Sequence, residues 1–248
     1  MKKFLNNQKA PVIACIIAII VLVAVLVVLI ATFSKASANL GIQQQWSSGK
    51  DSFDKAYEIA ASDKETPDKT LYIPNLVEQL GKTVDQAVAN IGQGATIVSS
   101  TTSETVINLN NESGNDKAGT PSIIATTNRS HKITKISFSC NTWLLGYANY
   151  SFVDYVDNLH IVEKTLTEAG LNVESGKAKV PENRASWTTY DSDGTTVVME
   201  SCDFSGSQWQ NGRNYKWSSN LNFNYSLANA KGDLSETIRL ITITIEQN

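Results

Sequence analysis

Two histidines, His131 and His160, and three cysteines, Cys15, Cys140 and Cys202, are all that 248 residues supply of the side chains that most often bind zinc. No CxxC pair and no paired Cys/His set occurs, so a structural zinc site or a redox dithiol is not expected, and neither is a cofactor. Basic residues form no stripe, which argues against nucleic acid as a partner. Acidic residues are missing altogether from the first 38 positions. Charge of either sign is missing from Pro11 to Phe33.

That last absence is the most informative. A charge-free run of this length, as a helix rising ~1.5 Å per residue, matches a hydrocarbon core of ~30 Å. Lys2, Lys3 and Lys9 precede it, and Lys35 alone follows closely. The positive-inside rule then places residues 1–10 in the cytoplasm, a transmembrane helix over 11–33, and the remainder outside. Two other fates compete. Val12-Ile13-Ala14-Cys15 loosely resembles a lipoprotein signal, but its apolar stretch follows the cysteine. Ala36-Ser37-Ala38 is an A-x-A pattern, so the chain would be secreted if cleaved after Ala38; the apolar run is longer than the ~7–15 residues of a signal peptide. The expected location is therefore the cell membrane, single-pass, with an extracellular C-terminal domain.

From Asn39 onward, 17 basic residues face 24 acidic ones, a net charge of −7. Cys140 and Cys202 are the cysteines of this part. In an oxidising compartment they invite a disulfide, worth roughly 4 kcal/mol on the chain-entropy account. Two separate buried thiols are the alternative.

The periodicity predicts a stalk and linker over 34–70, then two similar units at 71–141 and 150–248. In the first, Pro74 and Gly81 bracket a short helix. Thr83 and Gln86 have capping-box spacing ahead of a helix with Val84, Ala87, Val88 and Ile91 on one face. Strands follow at "TIVSSTT", "TVINLNN", "SIIATTN" and "KITKISFSC". In the second, Phe152, Val156, Leu159, Val162, Leu166 and Ala169 share one helical face ending at Gly170. Then come "ASWTTY", "TTVVMESCDF", "KWSSNLNFNYSL" and "ETIRLITITIEQ". Leu221, Phe223, Tyr225 and Leu227 alternate with Asn222, Asn224 and Ser226, and Ile241, Ile243 and Ile245 with Thr242, Thr244 and Glu246, giving one buried and one wet face. The expected class is α+β: a transmembrane helix, then a helix plus four-stranded antiparallel meander occurring twice.

Two resemblances follow. "IPNLVEQLGKTVDQAVANIGQGATI" (residues 73–97) resembles the opening of a PASTA domain, through Ile73-Pro74-Asn75-Leu76 and Gly81-Lys82-Thr83-Val84, with Glu78, Gln79 and Leu80 as an insertion. The helix-then-meander layout, seen twice, resembles the tandem domains of the β-lactamase-inhibitor-protein and SmpA group, with Gly81 and Gly92 as its residue-level echo. Either would imply a non-catalytic binding module.

Short patterns with a chemical reading have simpler explanations. Gly81-Lys82-Thr83 lacks the earlier glycine of a phosphate loop, so Thr83 is expected to cap a helix. Asp191-Ser192-Asp193-Gly194 starts like a calcium loop, yet Cys202 occupies the place of its closing glutamate, so a hairpin turn is expected. Ser52-Phe53-Asp54-Lys55 has the Ser-x-x-Lys spacing of penicillin-binding enzymes and Ser218-Ser219-Asn220 is like their second motif, but no Lys-Thr-Gly follows. The aromatics carry more. Trp209, Trp217, Trp187 and Tyr190 are the candidate ligand-binding residues, able to stack on sugar rings or anchor a protein, with Trp209 placed in a polar loop. The expected function is a membrane-anchored extracytoplasmic binding protein of the bacterial cell envelope, its partner a cell-wall glycan or an envelope protein. A cell-wall hydrolase or transferase, and a secreted enzyme inhibitor, are the alternatives.

Overall fold

A computed structural model describes residues 68–92, 94–110, 119–147 and 150–247. Eight antiparallel strands form one sheet in the order β1-β2-β3-β4-β8-β7-β6-β5. They are β1 (Thr96–Ser100), β2 (Glu104–Asn108), β3 (Ser122–Thr127), β4 (Ile133–Asn141), β5 (Thr188–Tyr190), β6 (Val197–Gln210), β7 (Arg213–Asn224) and β8 (Ile238–Gln247). This corrects the expected class. The second set of strands does not build a separate unit, because β8 returns to pair with β4 from Lys135↔Glu246 to Asn141↔Leu240. Among the described residues sheet dominates, and the α-helices are short: α1 (Val84–Ile91), α2 (Ile161–Glu168) and α3 (Ser226–Lys231). The transmembrane helix expected over 11–33 has no support here. Its residues, and residues 34–67 of the stalk and linker expected over 34–70, lie outside those described, and among the described residues no helix is long and apolar enough to cross a membrane.

Alternation explains why the sheet has two unlike faces. Successive side chains in a strand point to opposite sides, so register decides which residues share a row. One row reads Ile107, Ile123, Phe138, Ile243, Ser219 and Phe204 from β2 to β6. All six are buried. The next reads Thr105, Ala125, Ile136, Ile245 and Trp217, again buried. This is the core face.

A layer of short segments covers it. α1 begins with the expected capping box: Gln86 N donates to Thr83 Oγ1 at 3.3 Å and Thr83 N donates to Gln86 Oε1 at 3.0 Å. Its Ala87 and Ile91 are buried. Thr83 thus spends its hydroxyl on the helix, and Lys82 pairs with Glu78 at 3.3 Å. The segment before α1 is tied to the end of α2 by Leu76 N and Val77 N, which both donate to Ala169 O. It is tied to β4 by Gly81 N to Ile133 O and Ile133 N to Lys82 O.

The expected helix over 152–169 is broken. Asp154–Asn158 is a π-helical turn, closed by Leu159 N donating to Asp154 O, and His160 adopts φ 51° before α2 starts. Phe152, Val156, Val162, Leu166 and Ala169 are nonetheless all buried, and Leu159, expected on the same face, is half-buried at the break. The extra residue of the π turn and the left-handed His160 restart the helix without moving its apolar side off the core.

An aromatic cluster fills the β5–β7 side. Phe152 stacks on Trp187 at 5.3 Å, and Phe223 meets Phe152 and Tyr155 edge-on at 5.2 and 4.9 Å. Beside it Glu200, 3% exposed, accepts from Arg184 Nη2 at 3.0 Å and from Tyr225 Oη at 2.5 Å. A buried carboxylate needs such partners, since an unpaired one costs several kcal/mol.

Cys140 and Cys202 are buried free thiols, which corrects the expected bridge. Both lie on the core face in one row, Cys140–Ile241–Leu221–Cys202. Three strand intervals of ~4.8 Å separate them by about 14 Å, twice the ~7 Å limit for a disulfide. Burial, reinforced by Glu168 and opposed by Lys69, raises the Cys140 thiol well above its ordinary range. Burial also raises Cys202 to about 11, with Asp203, Glu200 and Asp157 adding to the effect. Both therefore stay protonated and inert.

Two outcomes are expected. Alkylation of the denatured, unreduced protein followed by peptide mass analysis labels Cys140 and Cys202 in full; a linked peptide pair would contradict the three-strand separation. In urea unfolding, Ile243→Ala lowers stability by about 2–5 kcal/mol, whereas Ser218→Ala, on the other side of the same sheet, changes it by about 0.5 kcal/mol or less.

Candidate functional site

The second face of the sheet is built by the other half of each alternation. Ser137, Thr244, Ser218 and Ser205 form one row from β4 to β6; Ser139, Thr242, Asn220 and Asp203 form the next. All are half-buried or exposed. The hydroxyls order one another: Ser137 Oγ lies 2.8 Å from Thr244 Oγ1, and Ser139 Oγ lies 2.9 Å from Thr242 Oγ1. Asn220 Nδ2 donates to Asp203 Oδ1 at 2.8 Å. The third row carries charge of alternating sign, Lys135, Glu246 and Lys216, followed by Ser207.

These rows meet at a depression of about 470 Å³ on the open face. Ser205, Ser207, Ser218 and Thr244 contribute hydroxyls to it, and Lys135, Lys216 and Glu246 its charged groups. Sequence reading proposed none of these seven as ligand-binding: it met Ser218 only in the Ser218-Ser219-Asn220 pattern, and Thr244 and Glu246 only as the wet side of an alternation. The signal was present in part, because the alternation that buries Ile241, Ile243 and Ile245 leaves Thr244 and Glu246 outside. Their neighbours could be named only once the register of β4, β7 and β6 against β8 was in hand.

Trp209 belongs to the same face. β6 and β7 pair without a register shift from Met199↔Asn224 to Gln210↔Arg213, so Ser205, Ser207 and Trp209 point the same way. Its indole is 69% exposed. The residue is not in a loop, as expected, but on β6 opposite Asn214. The loop is two residues, Asn211 and Gly212, at φ 50° and 73°. Positive φ at both is the requirement of a type I′ hairpin turn, which Asn-Gly satisfies at least strain. Gln210 fixes the hairpin end: its Nε2 donates to Gly170 O at 2.7 Å and its Oε1 accepts from Asn172 N at 2.9 Å. Arg213 Nη1 donates to Gln247 Oε1 at 3.0 Å. Trp209 therefore stands on an anchored strand.

The other three aromatic candidates are placed differently. Trp217, 5% exposed, lies on the core face over Gly206, where a Cβ would come within 2.7 Å of the indole. Glycine is required there by this close approach. Trp187, 7% exposed, is stacked on Phe152, and its Nε1 donates to Pro181 O at 2.9 Å. Tyr190 is half-buried at the end of β5. The four are not brought together: Trp209 alone of them is strongly exposed, while Trp217 reaches the depression only as part of its lining, together with Gly206.

Asp193 sits in the turn between β5 and β6. Its Oδ1 accepts from Thr195 N and Thr196 N, both at 2.8 Å, and its Oδ2 accepts from Thr196 Oγ1 at 2.5 Å. Its oxygens are thus committed to the turn. Among the described residues no group of three His, Cys, Asp or Glu side chains could hold a metal ion. Ser52 and Lys55 lie outside the described residues. His131, at φ 56°, closes the turn between β3 and β4 by donating its N–H to Asn128 O. The Nδ1 of His160 is buried without a partner.

The chain matches no family model, no curated protein and no solved structure. The two resemblances drawn from short sequence segments and layout therefore stand as expectations.

The Thr196 hydroxyl first, then the Thr196 and Thr195 amides, hold the Asp193 carboxyl down at about 2. A depressed carboxylate contributes to the fold above its unfolded value of 3.8, and that contribution is lost as pH falls through about 2. Carbonyl NMR is expected to find the Asp193 midpoint near that value, and Thr196→Val to raise it toward 3.8. An Asp193 midpoint at the ordinary value in the unmodified protein would contradict the turn geometry.

Proposed function

We propose that this protein is a non-enzymatic binding module of the bacterial cell envelope, attached to the membrane through residues 11–33 with the sheet on the outer side. The face of the sheet that no described segment covers is its working surface, and the ligand is wall glycan or another envelope component. The observation that carries this reading is Trp209: a 69% exposed indole on an anchored strand, on the same face as an open depression. Large aromatic surface held in water by a rigid scaffold is the usual character of a binding hot spot. Ile124 and Leu240, 37% and 40% exposed, add apolar area to that face. The charge-free run with lysines on its N-terminal side supports attachment and orientation.

A photo-reactive phenylalanine analogue placed at position 209 of the full chain, in intact cells, tests the reading. Illumination is expected to link it to envelope material, while the same group at Lys164 on α2 links to none. Labelling from Lys164 but not from 209 would assign the working surface to the covering layer instead.

A further inference from the structure

We propose that the depression and Trp209 together bind an uncharged oligosaccharide, an inference that rests on the open face being the working surface. Three features of the face select this chemistry. The first is charge. Lys135, Glu246 and Lys216 alternate in sign across adjacent strands, roughly 4.8 Å apart. An anion entering the row meets Glu246 beside each lysine, and a cation meets the lysines on both sides of Glu246. The row therefore gives no field of one sign, while the chain beyond residue 38 carries −7 and repels anions at long range. What the row does offer is ammonium donors next to a carboxylate acceptor, the pair a sugar diol satisfies.

The second feature is the lining. Ser205, Ser207, Ser218 and Thr244 present hydroxyls that both donate and accept, and Thr244 is held in place by Ser137. Such groups match the vicinal hydroxyls of a sugar ring better than the surface of a protein, whose hot spots are poor in serine. The third is distance. Trp209 lies four residues along β6 from Ser205, about 14 Å at ~3.4 Å per residue. A short run of linked sugar rings spans that interval, with one ring in the depression and the C–H face of another on the indole. The hydroxyl-lined depression, which Gly206 and Trp217 also line, fixes orientation, and Trp209 supplies the exposed apolar contact.

The full chain in lipid nanodiscs, applied to an array of defined neutral oligosaccharides and their uronic-acid counterparts, tests this. At least one neutral oligosaccharide is expected to be retained, with an affinity that changes little between low and high salt. Trp209→Ala weakens it about tenfold or more while Trp209→Phe retains most of it. Ser218→Arg, which fills the depression from an exposed position, abolishes it. Unchanged thermal unfolding of all three variants shows that the fold is kept. A blank array, retention confined to the acidic sugars, or equal retention by Trp209→Ala overturns the proposal. If the array is blank while position 209 still cross-links a protein in cells, the glycan assignment fails and the open face remains the working surface. If both fail, both readings fall.

Discussion

Lys135–Asn141 of β4 and Leu240–Glu246 of β8 face each other across an antiparallel ladder, and nearly everything else in the structure is arranged around that seam. On its core side Ile136, Phe138 and Cys140 meet Ile245, Ile243 and Ile241, all buried. On its other side Ser137 and Ser139 meet Thr244 and Thr242 through paired hydroxyls. The seam joins β1–β4 to β5–β8, which otherwise would each present an exposed edge. The joined sheet gives α1, α2 and the segments around them a single apolar surface to cover. The ties from Leu76 and Val77 to Ala169 join the segment ahead of α1 to the end of α2 within that layer.

The same seam builds the open face. Lys135 comes from β4, Glu246 from β8 and Lys216 from β7, residues far apart in the chain that register alone makes neighbours. Strand pairing without a shift carries the parity outward along β6 to Trp209. The apolar rows that stabilise the domain and the polar rows assigned to binding are thus alternate positions of the same strands. A one-residue slip between β4 and β8 would drive Thr242 and Thr244 into the core and scatter the depression at once.

Local signals were legible in the sequence where they act over a few residues. Thr83 with Gln86 closes the capping box its spacing implied, and Leu221, Phe223 and Tyr225 are buried as their alternation required, although the strand stops at Asn224 and Leu227, expected to continue it, is half-buried on α3. Features that depend on contacts between distant segments were not. Trp217 and Trp187 have the composition of binding aromatics, but one covers Gly206 and the other stacks on Phe152. Cys140 and Cys202 have a spacing that permits a bridge, but two whole strands lie between them. The π turn at Asp154–Asn158 was invisible because its two apolar side chains, Tyr155 and Val156, stay buried as a continuous helix would have had them. Asn211-Gly212 is a local signal that the polar surroundings of Trp209 concealed, and reading it as a hairpin would have put Trp209 on a strand.

The continuity of the sheet through β4 and β8 is the claim on which these relations stand. Native-state hydrogen exchange, read residue by residue by NMR, measures it most directly. Amides of 135–141 and 240–246 are expected to exchange slowly, with one common opening free energy equal to that of global unfolding. Independent exchange of the β1–β4 and β5–β8 groups, with the amides of the seam exchanging early, would show two separate sheets and contradict the account.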